Sequence, residues 1–142
     1  MIMFYFMVDK VMFTAVAAQG GNFGPFPTNR TLKFDTIITN VGGGYDNTSG
    51  EFTAPLTGVY YFTFSYEAKE DNKSGLSLMK NSSVIVKGAD NNKKGEYLTD
   101  NGGNSAILQL QSGDKVSVQL PANHCVWTAD NTTSFSGFLI AK

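Results

Sequence analysis

The chain holds one histidine and one cysteine, His124 and Cys125, and they are adjacent. They are the first place to look for nucleophilic chemistry. A Cys-His dyad needs the two side chains to face each other, and neighbours in an extended loop point apart. The pair therefore reads as a loop histidine beside an unpaired thiol. With a single cysteine no internal disulfide can form, which leaves the thiol to stay reduced or to pair between subunits. There is no His-x-His and no second cysteine, so no zinc spacing exists. Gly42-Gly43-Gly44 is not followed by a helical pattern, so it is a turn that needs positive φ rather than a phosphate loop.

Calcium suits the oxygen-rich loops better. It takes several carboxylate and carbonyl ligands from flexible segments. Asp90-Asn91-Asn92 and Asp100-Asn101 supply that ligand type, and they are equally the composition of solvated turns. The spacing is not that of an EF-hand. Trp127, in a polar stretch, can stack on a sugar face, anchor a protein interface, or fold back onto the core edge. Five Asn-x-Ser/Thr sequons occur, at Asn29, Asn47, Asn72, Asn81 and Asn131. They matter only in a secreted protein, and Asn72 and Asn131, in long polar loops, are the expected acceptors.

These residues must be positioned by strands. The 142-residue chain is about one domain, long enough to bury a core without staples. Its net charge is -1, with 11 basic and 12 acidic residues and no basic stripe, which argues against nucleic acid. The run Val59 to Tyr66 is made wholly of strand formers. Tyr60, Phe62, Phe64 and Tyr66 fall on one face and belong in a core. Val59, Tyr61, Thr63 and Ser65 fall on the other, which carries no charge and is expected to be buried in part.

Further strands are expected over Val11–Val16, Leu32–Thr39, Ala106–Leu110, Lys115–Leu120 and Ser134–Ala141, with a hairpin from Gly75 to Gly88 and a short piece at Glu96–Leu98. Gly42–Gly50 reads as a loop, Asp100–Asn104 as a glycine-rich turn, and Pro121–Thr133 as a long loop. Met1–Val8 is apolar but lacks a basic start, and Asp9-Lys10 split it from the next apolar run, so Val11–Val16 is a strand rather than part of a signal peptide. Residues 1–7 are set aside as an N-terminal extension and 8–142 as the domain. No window has helical periodicity. About ten short strands at turn spacings of eight to twelve residues predict an all-β sandwich or jelly roll.

One spacing goes further. Phe34 is followed by Asn40, Tyr45, Phe52 and Gly58, then by Tyr60, Phe62 and Phe64 at alternate positions. At every defined position this resembles the signature of the globular-head domain of the complement C1q family. Val11–Val16 is similar to that family's first strand, and Ser105–Leu110, Gly113–Leu120 and Phe135–Leu139 to its last three. The resemblance implies a ten-stranded C1q/TNF-like jelly roll, assembled as a homotrimer, secreted and non-enzymatic. It also implies calcium at the trimer apex, through Asp90 and Asp100. Asp100 follows Tyr97-Leu98 with one extra residue, Thr99, and the loop before it carries Lys93 and Lys94, which departs from the family pattern. The implied partners are microbial surfaces, carbohydrate, lipid or protein ligands in innate immunity. Alternatively the domain is a cerebellin-like organiser bridging cell-surface receptors. No collagen-like repeat is present in the chain, and no membrane insertion is implied.

Overall fold

The computed structural model describes residues 10–69, 73–90 and 100–142. Within these there is no helix, and thirteen strands form two antiparallel sheets. The longer strands are β1 (Met12–Val16), β4 (Thr36–Val41), β6 (Glu51–Thr53), β7 (Gly58–Ala68), β8 (Ser74–Lys80), β9 (Ser83–Asp90), β10 (Asp100–Leu110), β11 (Lys115–Leu120) and β13 (Ser134–Ala141). Four two-residue pairings complete the set: β2 (Asn22–Phe23), β3 (Arg30–Thr31), β5 (Tyr45–Asp46) and β12 (Val126–Trp127). One sheet runs β2-β12-β7-β13-β1-β4, with β10 also paired to β7. The other runs β5-β6-β11-β8-β9, with β3 on β11.

The alternation read along β7 is what the fold uses. Tyr60, Phe62, Phe64 and Tyr66 are buried between the sheets, while Val59, Tyr61 and Thr63 are half-buried and Ser65 is exposed. The core is dominated by rings. Phe13 stacks on Tyr45 at 5.1 Å and on Phe52 at 5.2 Å, and meets Phe135 edge-on at 4.9 Å. Each such burial is worth about 1.5–3 kcal/mol, enough to order a sandwich without disulfides.

The signature residues turn out to be this core and its braces. The Tyr45 hydroxyl donates to the Phe34 carbonyl and accepts from the Phe34 N–H, both at 2.9 Å. The Asn40 side chain bonds the backbone of Tyr45 through both ends, Nδ2 to the carbonyl at 2.9 Å and Oδ1 from the N–H at 3.3 Å. Phe52 packs edge-on against Tyr60 and Phe62. A Cβ on Gly58 would lie 2.5 Å from the Ala141 carbonyl, so only glycine lets the end of β13 close over β7. The spacing therefore specifies folding, not a ligand site.

Three expectations need correction. Leu32–Asp35 is not strand. Its backbone is occupied otherwise, with the Leu32 N–H on the Val118 carbonyl and Phe34 held by the Tyr45 hydroxyl, so the strand starts at Thr36. The stretch Asp100–Asn104 is not a turn but the first half of β10. Its glycines serve close packing: a Cβ on Gly102 would sit 2.5 Å from the Tyr66 hydroxyl. The Gly42–Gly50 loop and the Pro121–Thr133 loop each contain a two-residue strand, β5 and β12, paired to β6 and to β2 and β7. The piece at Glu96–Leu98 lies outside the described residues.

Candidate recognition surface

β-Strand pairing lines residues up across the outer face of the seven-stranded sheet. Val41, Met12, Phe138, Tyr61 and Ile107 form one row over β4, β1, β13, β7 and β10. All but Tyr61 are exposed, Ile107 at 64%, Phe138 at 46% and Met12 at 39%. Tyr61 and Phe138 touch ring to ring at 5.6 Å. Ile140, 49% exposed, extends the apolar patch toward the end of β13.

The next row, Thr39, Thr14, Ser136, Thr63 and Ser105, is made of hydroxyls. Thr14 and Ser136 bond at 2.8 Å, and one step further Ser65 and Ser134 bond at 3.1 Å. Between the rows lies a depression of about 340 Å³ lined by Met12, Thr14, Thr39, Tyr61, Ser136 and Phe138. Neither row carries a charge. The sequence foresaw only the β7 part of this face. The pairing that joins it to Met12, Phe138 and Ile107 is long-range, although strand parity alone puts Met12 opposite in facing to Phe13.

The candidates expected in loops lie at strand ends and turns. The backbone places Asp90 at the end of β9 opposite Ser74, and Asp100 at the start of β10 opposite Ala68. Among the described residues no three His, Cys, Asp or Glu side chains cluster as a metal site. Trp127 is half-buried on β12, with the Lys69 ammonium 4.8 Å from its ring centre and its indole N–H buried without a hydrogen bond among the described residues. One ring face is thus capped, which fits a core-edge anchor better than a sugar platform. Asn72 lies outside the described residues. Asn131 is exposed at a turn.

His124 bonds the Ala122 carbonyl through Nδ1 at 3.0 Å, while Cys125 is fully buried. Burial overturns the subunit disulfide: the sulfur cannot meet another chain without opening the core. The perturbed groups are structural. Burial pushes the Tyr45 phenol well up, with the nearby Asp35 and Asp46 adding to it against the Phe34 bond. Asp46 is held low first by the Thr48 hydroxyl, at 2.7 Å, and then by the Thr48 N–H. Asp114 is held low first by the Gln111 N–H at 2.9 Å. Both carboxylates close turns.

Two packed antiparallel sheets around an aromatic core make a jelly-roll fold of the C1q/TNF-like kind. The globular domain of zebrafish complement 1qA protein superposes with a TM-score of 0.73 at 23% identity, covering 92% of this chain and 98% of that one. Eiger TNF from S. frugiperda gives 0.74 at 12% identity, covering 94% of each, and murine APRIL 0.73 at 9%, covering 92% of this chain and 99% of that one. The C1q domain model matches residues 13–140, and the chain belongs to that family. It is 34% identical over 125 residues to Caprin-2 of Danio rerio, which covers 87% of this chain. The chain spans 14% of the length of that curated relative. Domains of this class are generally non-enzymatic, extracellular binding modules that typically act as trimers.

Proposed function

We propose that this chain is an extracellular, non-enzymatic recognition domain that works as a homotrimer. The seven-stranded sheets turn inward and the loops carry the ligand site. The uncharged row Val41, Met12, Phe138, Tyr61 and Ile107 supports this reading most directly. A sheet face of that kind, left in water, is a standing interaction site, and a second and third copy of the same chain cover it with matched chemistry. Three loop ends then bind one surface together, so weak sites sum without new contacts. That arrangement suits repetitive targets, and the ligand class we assign is microbial-surface glycan, a role in innate immunity.

Calcium belongs to this proposal as its metal. Two carboxylates from one chain, Asp90 and Asp100, fall short of the six to eight oxygens the ion takes, so carbonyls, water or neighbouring copies would complete the set. When bound, the ion would supply positive charge and cross-linking at the loop end, and this chain's carboxylates would hold it.

Absolute mass by light scattering, in calcium and then in chelator, tests the assembly. A trimer is expected, melting earlier in chelator. A monomer in both conditions overturns the proposal, and a trimer indifferent to chelator removes the metal alone. Binding to intact bacteria or a polysaccharide array is expected of the trimer. Saturable binding to one cell-surface protein, with none to glycans, would replace the sensor by a receptor-bridging organiser.

A further inference from the structure

Four sequons lie in the described residues, and the fold treats them differently. Asn81 is committed. Its Oδ1 accepts the Lys115 N–H at 3.0 Å and its Nδ2 points to the Asp114 carboxylate at 3.5 Å. Asn47 gives its Nδ2 to the Asp35 carbonyl at 3.1 Å. Asn29 uses its Oδ1 to accept the Ala122 N–H at 2.8 Å, leaving its nitrogen open. Asn131 is exposed and its side chain makes no hydrogen bond among the described residues.

Its backbone is set apart as well. Asp130 and Asn131 have φ of 63° and 55°, the two central positions of a tight turn closed by the Thr132 N–H on the Ala129 carbonyl at 3.4 Å. Asp and Asn tolerate that conformation. The Thr132 hydroxyl also bonds Ala129, at 2.9 Å, so the tip is held from below while the Asn131 amide is free above it.

We propose that Asn131 is the position this fold presents for N-glycosylation, ahead of Asn29 and well ahead of Asn47 and Asn81. A glycosylated amide gives up one N–H and must release a bulky sugar into solvent. Asn131 loses no bond in doing so, while Asn47 and Asn81 have the acceptor nitrogen turned to a protein oxygen. The tip also lies clear of the apolar row: Ser134, at the near end of β13, is four residues or about 13 Å from Phe138. A glycan there is compatible with the trimer.

The fold also sets the order of events. The Thr133 hydroxyl, which completes the sequon, is fully buried, donating to the Trp127 carbonyl at 2.6 Å and accepting from the Glu67 N–H at 3.3 Å. The sugar is therefore added to the nascent chain, before β13 docks against β7, and the hydrogen bonds act afterwards. A chain carrying sugar on Asn47 or Asn81 must give up the Asp35 or Asp114 contact to fold, while one carrying it on Asn131 gives up none.

This inference rests on the extracellular reading above, and the test separates the two. The full chain is expressed in animal cells behind an added secretion leader, and the secreted protein is mapped peptide by peptide with and without peptide-N-glycosidase. Asn131 is expected to be occupied, with Asn47 and Asn81 sparsely so. Asn131→Asp keeps a residue that accepts positive φ and removes the acceptor nitrogen, and it is expected to lose that glycan while keeping the trimer mass. An unmodified Asn131 in secreted, folded protein overturns the proposal, as does occupancy of Asn47 or Asn81 equal to that of Asn131. Asn131→Gly serves as the second variant if the aspartate fails to fold. The leader makes the result independent of native location. Native protein without glycan, beside a positive leader experiment, would count against the extracellular reading and not against the site.

Discussion

The outer faces of the two sheets have the same geometry and opposite chemistry. On the six-stranded sheet the outward rows are Lys87, Ser77, Gln119 and Thr31, and Val84, Met79, Ser117, Glu51 and Asp46. The central residues Ser77, Met79 and Ser117 are already buried, flanked by longer polar neighbours. That face is finished in the single chain. On the seven-stranded sheet five strands meet in an apolar row of which all but Tyr61 stay open to solvent. Of the eight exposed large hydrophobics among the described residues, only Val84 belongs to the six-stranded sheet. One layer of the sandwich covers its outer face with its own polar side chains, and the other leaves an apolar row exposed.

Breaking that contrast should give the largest effect. Ile107→Asp or Phe138→Asp places a charge in the apolar row of every copy, and light scattering should show trimer falling to monomer with circular dichroism unchanged. Val84→Asp, exposed on the other sheet, should leave the mass as it was. Equal loss of trimer from both substitutions would end the distinction between the faces.

Between the sheets the cost is in folding rather than assembly. Phe52→Ala removes a ring packed against Phe13, Tyr60 and Phe62 and should cost about 3–5 kcal/mol in denaturant unfolding. Tyr45→Phe leaves the Phe34 N–H and carbonyl without their hydroxyl partner and should cost about 1–3 kcal/mol. Tyr45 also fixes an alkaline limit. Its folded-state pKa is raised by burial, so its contribution is complete below the unfolded value of about 10 and is lost as pH rises toward the folded one. The wild type should lose stability in strong alkali, and Tyr45→Phe should lose less of it over the same range.

The smallest effect belongs on the finished face. Lys115 and Glu51 stand 3.8 Å apart, both well exposed. Lys115→Ala should change stability by about 0–1 kcal/mol, with trimer mass untouched.

How much of this was readable beforehand depends on the range of the contact. β7 was legible because alternation is local: eight residues state which side chains go inward. The signature from Phe34 to Phe64 was legible as a family spacing, but its meaning, hydroxyl and amide braces around a ring cluster, needed coordinates. The strand over Leu32–Asp35 was misread because propensity cannot see that Tyr45 and Val118 take those backbone groups. The turn over Asp100–Asn104 was misread because glycine marks both a tight bend and a close approach, and only the position of Tyr66 separates them. Cys125 gave no signal of depth.

The amino-acid sequence by itself determined the all-β class, the inward aromatic face of β7, the family, and the lack of charge on Val59 to Ser65, all properties carried by neighbours along the chain. The tertiary structure decided the rest. It placed Met12, Tyr61, Phe138 and Ile107 in one row, buried Cys125, capped Trp127 with Lys69, and left Asn131 alone among the four described sequons with neither end of its side-chain amide hydrogen-bonded. Each of these depends on which strand pairs with which and in what register, and that choice is made by long-range packing across the whole sandwich.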